Sequence, residues 1–160
     1  MIKKLLSAFA VACVTAAPAM AKVDPGTPDL LNTIDDHVNV QYNTTECDTG
    51  EFYGYYNRRT NKMLLCYEGV PDAEDHDTAR HETWHVIQHC VSPDAKTLQP
   101  IFDTPETFKE HVLPYISAAE VVNIMEGYPE HAHNAEIEAF VMANVLTAEE
   151  VENAFVKACL

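Results

Sequence analysis

The sequence predicts an α+β fold: a small, mostly antiparallel sheet followed by a helical C-terminal half. Two observations predict it. Segments with the alternation and the β-branched and aromatic content of strands lie between Val38 and Tyr67. From Asp72 onward the signals turn helical, with recognisable starts and stops. Strands first and helices afterwards is the order of an α+β domain.

The N-terminus reads as an export signal. Met1-Ile2-Lys3-Lys4 is basic, Leu5 to Thr15 is apolar, and Ala19-Met20-Ala21 is a small-x-small cleavage site. The apolar run is too short to cross a bilayer, and no other stretch approaches the roughly 20 apolar residues a membrane helix needs. Cys13 follows Ala10-Val11-Ala12, a poor lipobox, so cleavage after Ala21 is expected rather than lipidation. Residues 22–160 are then expected to form one domain, large enough for a real core.

Removing the leader takes away Lys3 and Lys4 and no acid, which moves the net charge from −15 to −17. So acidic a chain repels phosphate backbones and anionic membranes, so neither nucleic acid nor, after signal cleavage, a membrane is an expected partner. The mature chain keeps Cys47, Cys66, Cys90 and Cys159. An even count behind an export signal predicts two disulfides in a secreted or periplasmic protein. No cysteine pair has the close spacing of a zinc knuckle or ribbon.

In chain order, Thr27-Pro28-Asp29 starts a helix carrying Leu30, Leu31 and Ile34, and Val38, Val40 and Tyr42 alternate as in a half-buried strand. Glu51–Tyr56 and Lys62–Tyr67 are strand-forming runs separated by the polar turn Asn57–Asn61, a hairpin signature. A hairpin brings Cys47 and Cys66 onto neighbouring segments, so these two are expected to pair. Asp72, Asp75 and Asp77 put negative charge at the start of a helix that runs through His81 to about Val91, where Ser92-Pro93 stops it. Further helices are expected from Asp103 or Thr104 to Val112, Ser117 to Met125, Asn134 to Val145 and, after the capping box at Thr147, to Lys157. A Cys90–Cys159 bridge would tie the last helix to the His81 helix. Trp84, Val86 and Ile87 are expected to pack that helix on the sheet.

The chemistry lies in His81-Glu82-Thr83-Trp84-His85, an HExxH motif. Histidines four apart share a helix face, so both imidazoles reach one ion, and Glu82 stands beside it as a general base. A metal lowers the pKa of a water, and a carboxylate takes its proton: the requirements of peptide-bond hydrolysis. His89 lies about 12 Å along the axis from His81 and cannot share the ion, so it is read as a supporting or surface residue. A third ligand must come from elsewhere.

Here the sequence resembles the gluzincin branch of the zincin metallopeptidases. The resemblance rests on His81–His85 and on Glu136-Ile137-Glu138-Ala139-Phe140, similar to the Glu-x-Glu-Ala setting in which a downstream glutamate completes the zinc site. It implies a zinc-dependent peptidase acting on a peptide or protein, with Glu136 as third ligand. A helical wheel independently favours Glu136, whose neighbours Ala139 and Ala143 are small enough to let two helices approach; Glu138, which points nearly the opposite way, stays open as an alternative ligand, as do His131 and His133. The resemblance also implies a Tyr or His beside the reacting oxygen. Tyr128 is the first choice, ahead of His131 and His133.

Zinc is favoured over iron, because Thr83 occupies the place where the carboxylate of many two-His iron sites stands. Two other classes remain at this point: a zinc-binding module without catalysis, and a disulfide-stabilised interaction protein.

Overall fold

A computed structural model describes residues 23–160 apart from Glu51 and Glu68. The export signal expected at 1–21, and the first residue expected of the hairpin, lie outside the described residues. Helix α1 (Thr27–Asp35) has Pro28 in its first turn and buries Leu30, Leu31 and Ile34. Strand β1 (Asn39–Tyr42) follows, and β2 (Gly54–Asn57) and β3 (Lys62–Leu65) form the expected hairpin. In its turn the Asn57 carboxamide oxygen accepts from the backbone N–H groups of Arg59 and Thr60, and Asn61 adopts a left-handed φ of 49°.

The strand order is β1-β3-β2, with β2 antiparallel and β1 parallel to β3. The sheet is therefore mixed. The Val40/Tyr42 alternation marks a strand without saying which neighbour it takes. The parallel pair also explains the first disulfide, Cys47–Cys66 (Cα–Cα 5.5 Å). Cys47 lies on a short 3-10 turn after β1 and Cys66 directly follows β3. Parallel neighbours leave the sheet at the same end, so β1 and β3, rather than the hairpin itself, bring these cysteines together.

The helical half consists of α2 (Ala73–Val91), α3 (Pro105–His111), α4 (Ala118–Gly127), α5 (His133–Val145) and α6 (Ala148–Cys159). Four of them start with a reciprocal capping box: Asp72 with Asp75, Thr104 with Thr107, Ser117 with Glu120 and Thr147 with Glu150. Each box satisfies backbone N–H groups that the first turn leaves free. The small sheet packs on α2, whose heaviest contacts are nevertheless with α5 and α6. Leu30, Ile34, Ile87, Val141 and Phe155 fill the core between these layers. The second disulfide, Cys90–Cys159, joins the end of α2 to the end of α6, as expected.

The buried Trp84 reaches α5, where its indole donates to Glu138. Asp24, in the Pro/Gly-containing stretch before α1, is an anchor. Its carboxylate accepts from the N–H groups of Gly26 and Ala148 and pairs with buried Arg80. Two disulfides fit an oxidising compartment. Among the described residues, no helix is long and apolar enough to cross a membrane.

Candidate metal centre

Helix α2 supplies two imidazoles and α5 one carboxylate. The α2 start is held by Asp72, which accepts from the N–H groups of Glu74 and Asp75 while Asp75 accepts from that of Asp72. Two turns on, His81 and His85 project from one face, ring centroids 4.6 Å apart and nearly perpendicular. Helix α5 is tied against α2 at two places: Arg80 Nε donates to the Ala143 carbonyl at 2.8 Å, and Gln88 Nε2 to the Ala135 carbonyl at 3.0 Å. Ala139 and Ala143, both buried, leave room for that approach. Glu136 lies between the two ties, its Oε2 3.3 Å from His81 Nε2 and 3.3 Å from His85 Nε2.

These three residues can hold a metal ion, their donor atoms all lying within 4.8 Å of one another. The spacing suits a single ion held by all three. Tetrahedral ligands at bond lengths of about 2.0–2.1 Å stand roughly 3.3 Å apart, the separation of Glu136 from each imidazole. His85 and Glu136 are buried, whereas His81 borders a cleft of about 680 Å³, leaving one open side.

The metal-free charges follow from this packing. Burial alone would raise the Glu136 carboxyl, but hydrogen bonds from His81 and His85, with their charge, hold it down at about 2. Burial would lower the His85 imidazole; Glu136, then Glu82 and the Gln88 hydrogen bond, outweigh it and push it up to about 9. The trio is thus a buried anion facing a cation, which an ion can replace.

Glu82 is buried and shares the cleft with His81. Burial pushes its carboxyl up, and the positive charge of His81 and His85 opposes that; the backbone amide of Tyr56 also lowers it. Tyr56 lies on β2, an edge strand. The N–H of Cys66 donates to the Tyr53 carbonyl, so in the antiparallel ladder Gly54 and Tyr56 turn their peptide groups away from β3. Gly54 is where β2 meets α2: a Cβ there would lie 2.9 Å from Thr78 Cγ2 and 2.9 Å from the Leu64 carbonyl oxygen.

Tyr128, at the end of α4, lines the same cleft. Burial, with the negative charge of Glu136 and Glu82, pushes its phenol up to about 12. His131 and His133 do not line the cleft; His133 Nε2 donates to the Tyr128 carbonyl at 2.8 Å and braces that turn. His89 is directed to β2, hydrogen-bonded through Nδ1 to the Tyr56 hydroxyl at 2.7 Å.

Glu138, weighed in the sequence as an alternative ligand, is fully buried on the other side of α5. It accepts from Trp84 Nε1, Gln88 Nε2 and the N–H groups of Ile101 and Phe102, at 2.8–3.1 Å. Gln88 and Arg80, both buried, were missed. A polar side chain amid Val86, Ile87 and the two histidines was the signal for Gln88. Arg80, immediately before the motif, offered no such signal.

A family model described as Domain of unknown function (DUF8637) matches residues 21–160. The chain belongs to this family. No curated protein and no solved structure matched it. What the DUF8637 chain can do is therefore read from the centre itself: two imidazoles and a carboxylate for an ion, a second carboxylate beside them, and a cleft for a ligand.

Proposed function

We propose that this chain is an exported zinc-dependent peptidase, secreted or periplasmic, with His81, His85 and Glu136 as metal ligands. The observation that carries this reading is the position of Glu82, buried next to the three ligands and facing the cleft that His81 borders. A metal-binding module has no need of a second buried carboxylate there. Zinc at this centre supplies a Lewis acid that activates water and polarises a carbonyl.

The other roles fall to the chain's own residues. Glu82 takes the proton of the attacking water and passes it to the leaving amine. Tyr128, kept protonated by its raised pKa, donates a hydrogen bond to the substrate carbonyl oxygen as charge develops on it. The outward peptide groups of Gly54 can pair with an extended substrate along the free edge of β2. Among the described residues the cleft lining includes Glu74, Glu120 and Asp77, the last paired with Arg80 behind it, and no Lys or Arg, so a cationic peptide suits it better than an acidic one.

The test is cleavage of a quenched fluorescent peptide library, rich in Lys and Arg, by zinc-loaded wild type and Glu82→Gln. Chelator-sensitive cleavage by wild type, lowered on the order of 10²–10⁴-fold in the zinc-retaining variant, is the expected result. Equal rates in the two proteins would remove Glu82 from the chemistry. Zinc bound by both with no cleavage by either would leave a metal-binding module.

A further inference from the structure

Gln88 is fully buried on α2, three residues after His85. Its amide has one end that only donates and one that only accepts, and its neighbours decide which is which. One end lies 3.0 Å from the Ala135 carbonyl oxygen and 3.1 Å from Glu138 Oε1. A carbonyl and a carboxylate oxygen both accept, so this end is the NH2 group. The other end is then the oxygen, 2.8 Å from His85 Nδ1. An oxygen there requires that Nδ1 carry the proton. In the neutral imidazole, the lone pair is then on Nε2, the atom that faces Glu136 at 3.3 Å.

Glu138 keeps the amide in this orientation. Its other partners are Trp84 Nε1 and the N–H groups of Ile101 and Phe102, all donors, so Gln88 meets an acceptor on that side. A flipped amide would set its oxygen against two oxygens and its NH2 against the Nδ1–H.

We propose that Gln88 is the positioning residue of the metal centre: anchored by Glu138 and Ala135, it holds His85 in the Nδ1–H tautomer that presents Nε2 to the ion. This inference rests on the metal reading above and adds a residue that touches neither metal nor substrate. Partners that fix a ligating histidine in this way are worth about 10–100-fold in metal affinity.

The test compares wild type with Gln88→Met, which keeps the length and bulk of the side chain and loses the acceptor. Zinc dissociation constants are measured by chelator competition, and long-range 1H–15N spectra of the zinc-loaded proteins read the His85 ring. In wild type, His85 is expected to be zinc-bound through Nε2, with an Nδ1–H that exchanges slowly with solvent. In Gln88→Met, zinc is expected to bind about 10–100-fold more weakly, with a fast-exchanging His85 Nδ1–H. A purely structural role would leave that proton's exchange unchanged. Wild-type affinity and slow exchange in Gln88→Met would overturn the positioning role while the metal centre stands. Ligation of wild-type His85 through Nδ1 would overturn it even if the variant does not fold. A wild type that takes up no zinc would overturn the metal reading, and this one with it.

Discussion

The indole of Trp84 donates a hydrogen bond to Glu138 at 2.8 Å, across the helix pair that carries the candidate metal centre. The same carboxylate receives the N–H groups of Ile101 and Phe102, so it closes the segment after α2 onto α5. Replacing it orphans several buried donors, at about 1–3 kcal/mol each, with partial relief from relaxation. Glu138→Leu should therefore lose about 3–5 kcal/mol in urea unfolding of the metal-free protein. Glu138→Gln, which keeps one acceptor, should lose about 1–3 kcal/mol. A loss below about 1 kcal/mol in the Leu variant would show that this network does not hold the two helices.

Gly54 lets β2 lie against α2. A side chain there meets Thr78 Cγ2 and the Leu64 carbonyl oxygen, each 2.9 Å from an added Cβ. Gly54→Val should cost about 1–3 kcal/mol and push the strand from the cleft. Gly127 is the control: an added Cβ meets nothing within 4 Å, and Gly127→Ala in α4 should stabilise by about 0.5–1 kcal/mol. Thermal unfolding of the two variants reads the contrast, and equal effects would contradict the close approach.

Protons and metal compete for His85. In the metal-free protein its pKa stands at about 9 against an ordinary 6.5, so at pH 7.5 the imidazole is charged and a ligating metal must displace its proton. Calorimetric zinc titrations in buffers of different ionisation enthalpy should show close to one proton released at pH 7.5, and fewer above pH 9.

The same pair sets the sign of metal-free stability. The raised His85 contributes fully below 6.5 and loses its contribution as pH rises through about 9. The depressed Glu136 contributes above 4.5 and loses its contribution as pH falls toward about 2. Urea midpoints of the metal-free protein should therefore fall between pH 6.5 and 9, while the increment from added zinc grows over that range. A metal-free midpoint that rises over that range would contradict the pairing.

What could be read from the chain alone was local. The four-residue spacing of His81 and His85 dictates a shared helix face. Ala139 and Ala143 beside Glu136 mark the side of α5 that another helix can approach, and the ties from Arg80 and Gln88 confirm where α2 lies. The capping box at Thr147 was legible for the same reason, since it closes within four residues, whereas Asp72, Thr104 and Ser117 were read only as helix starts. Beyond the Cys90–Cys159 bridge and the approach of Glu136 to the two histidines, partnerships across the chain were not legible. Alternation at Val40 and Tyr42 announces a strand yet not a parallel neighbour, so the Cys47–Cys66 pairing came out right for a different reason. Asp24 is a lone acid in a Pro/Gly stretch, and only the fold sets it against Arg80 and the start of α6. Glu136 and Glu138 are chemically alike; which faces an imidazole and which an indole depends on the helix packed against each side.

The most direct test of the central claim is the zinc content of the purified mature protein by mass spectrometry, after loading and removal of free metal. Wild type and Glu82→Gln should each carry one zinc per chain, and His85→Ala and Glu136→Ala should carry almost none while remaining folded by circular dichroism. Full zinc in Glu136→Ala, or none in wild type, would contradict a centre built from His81, His85 and Glu136.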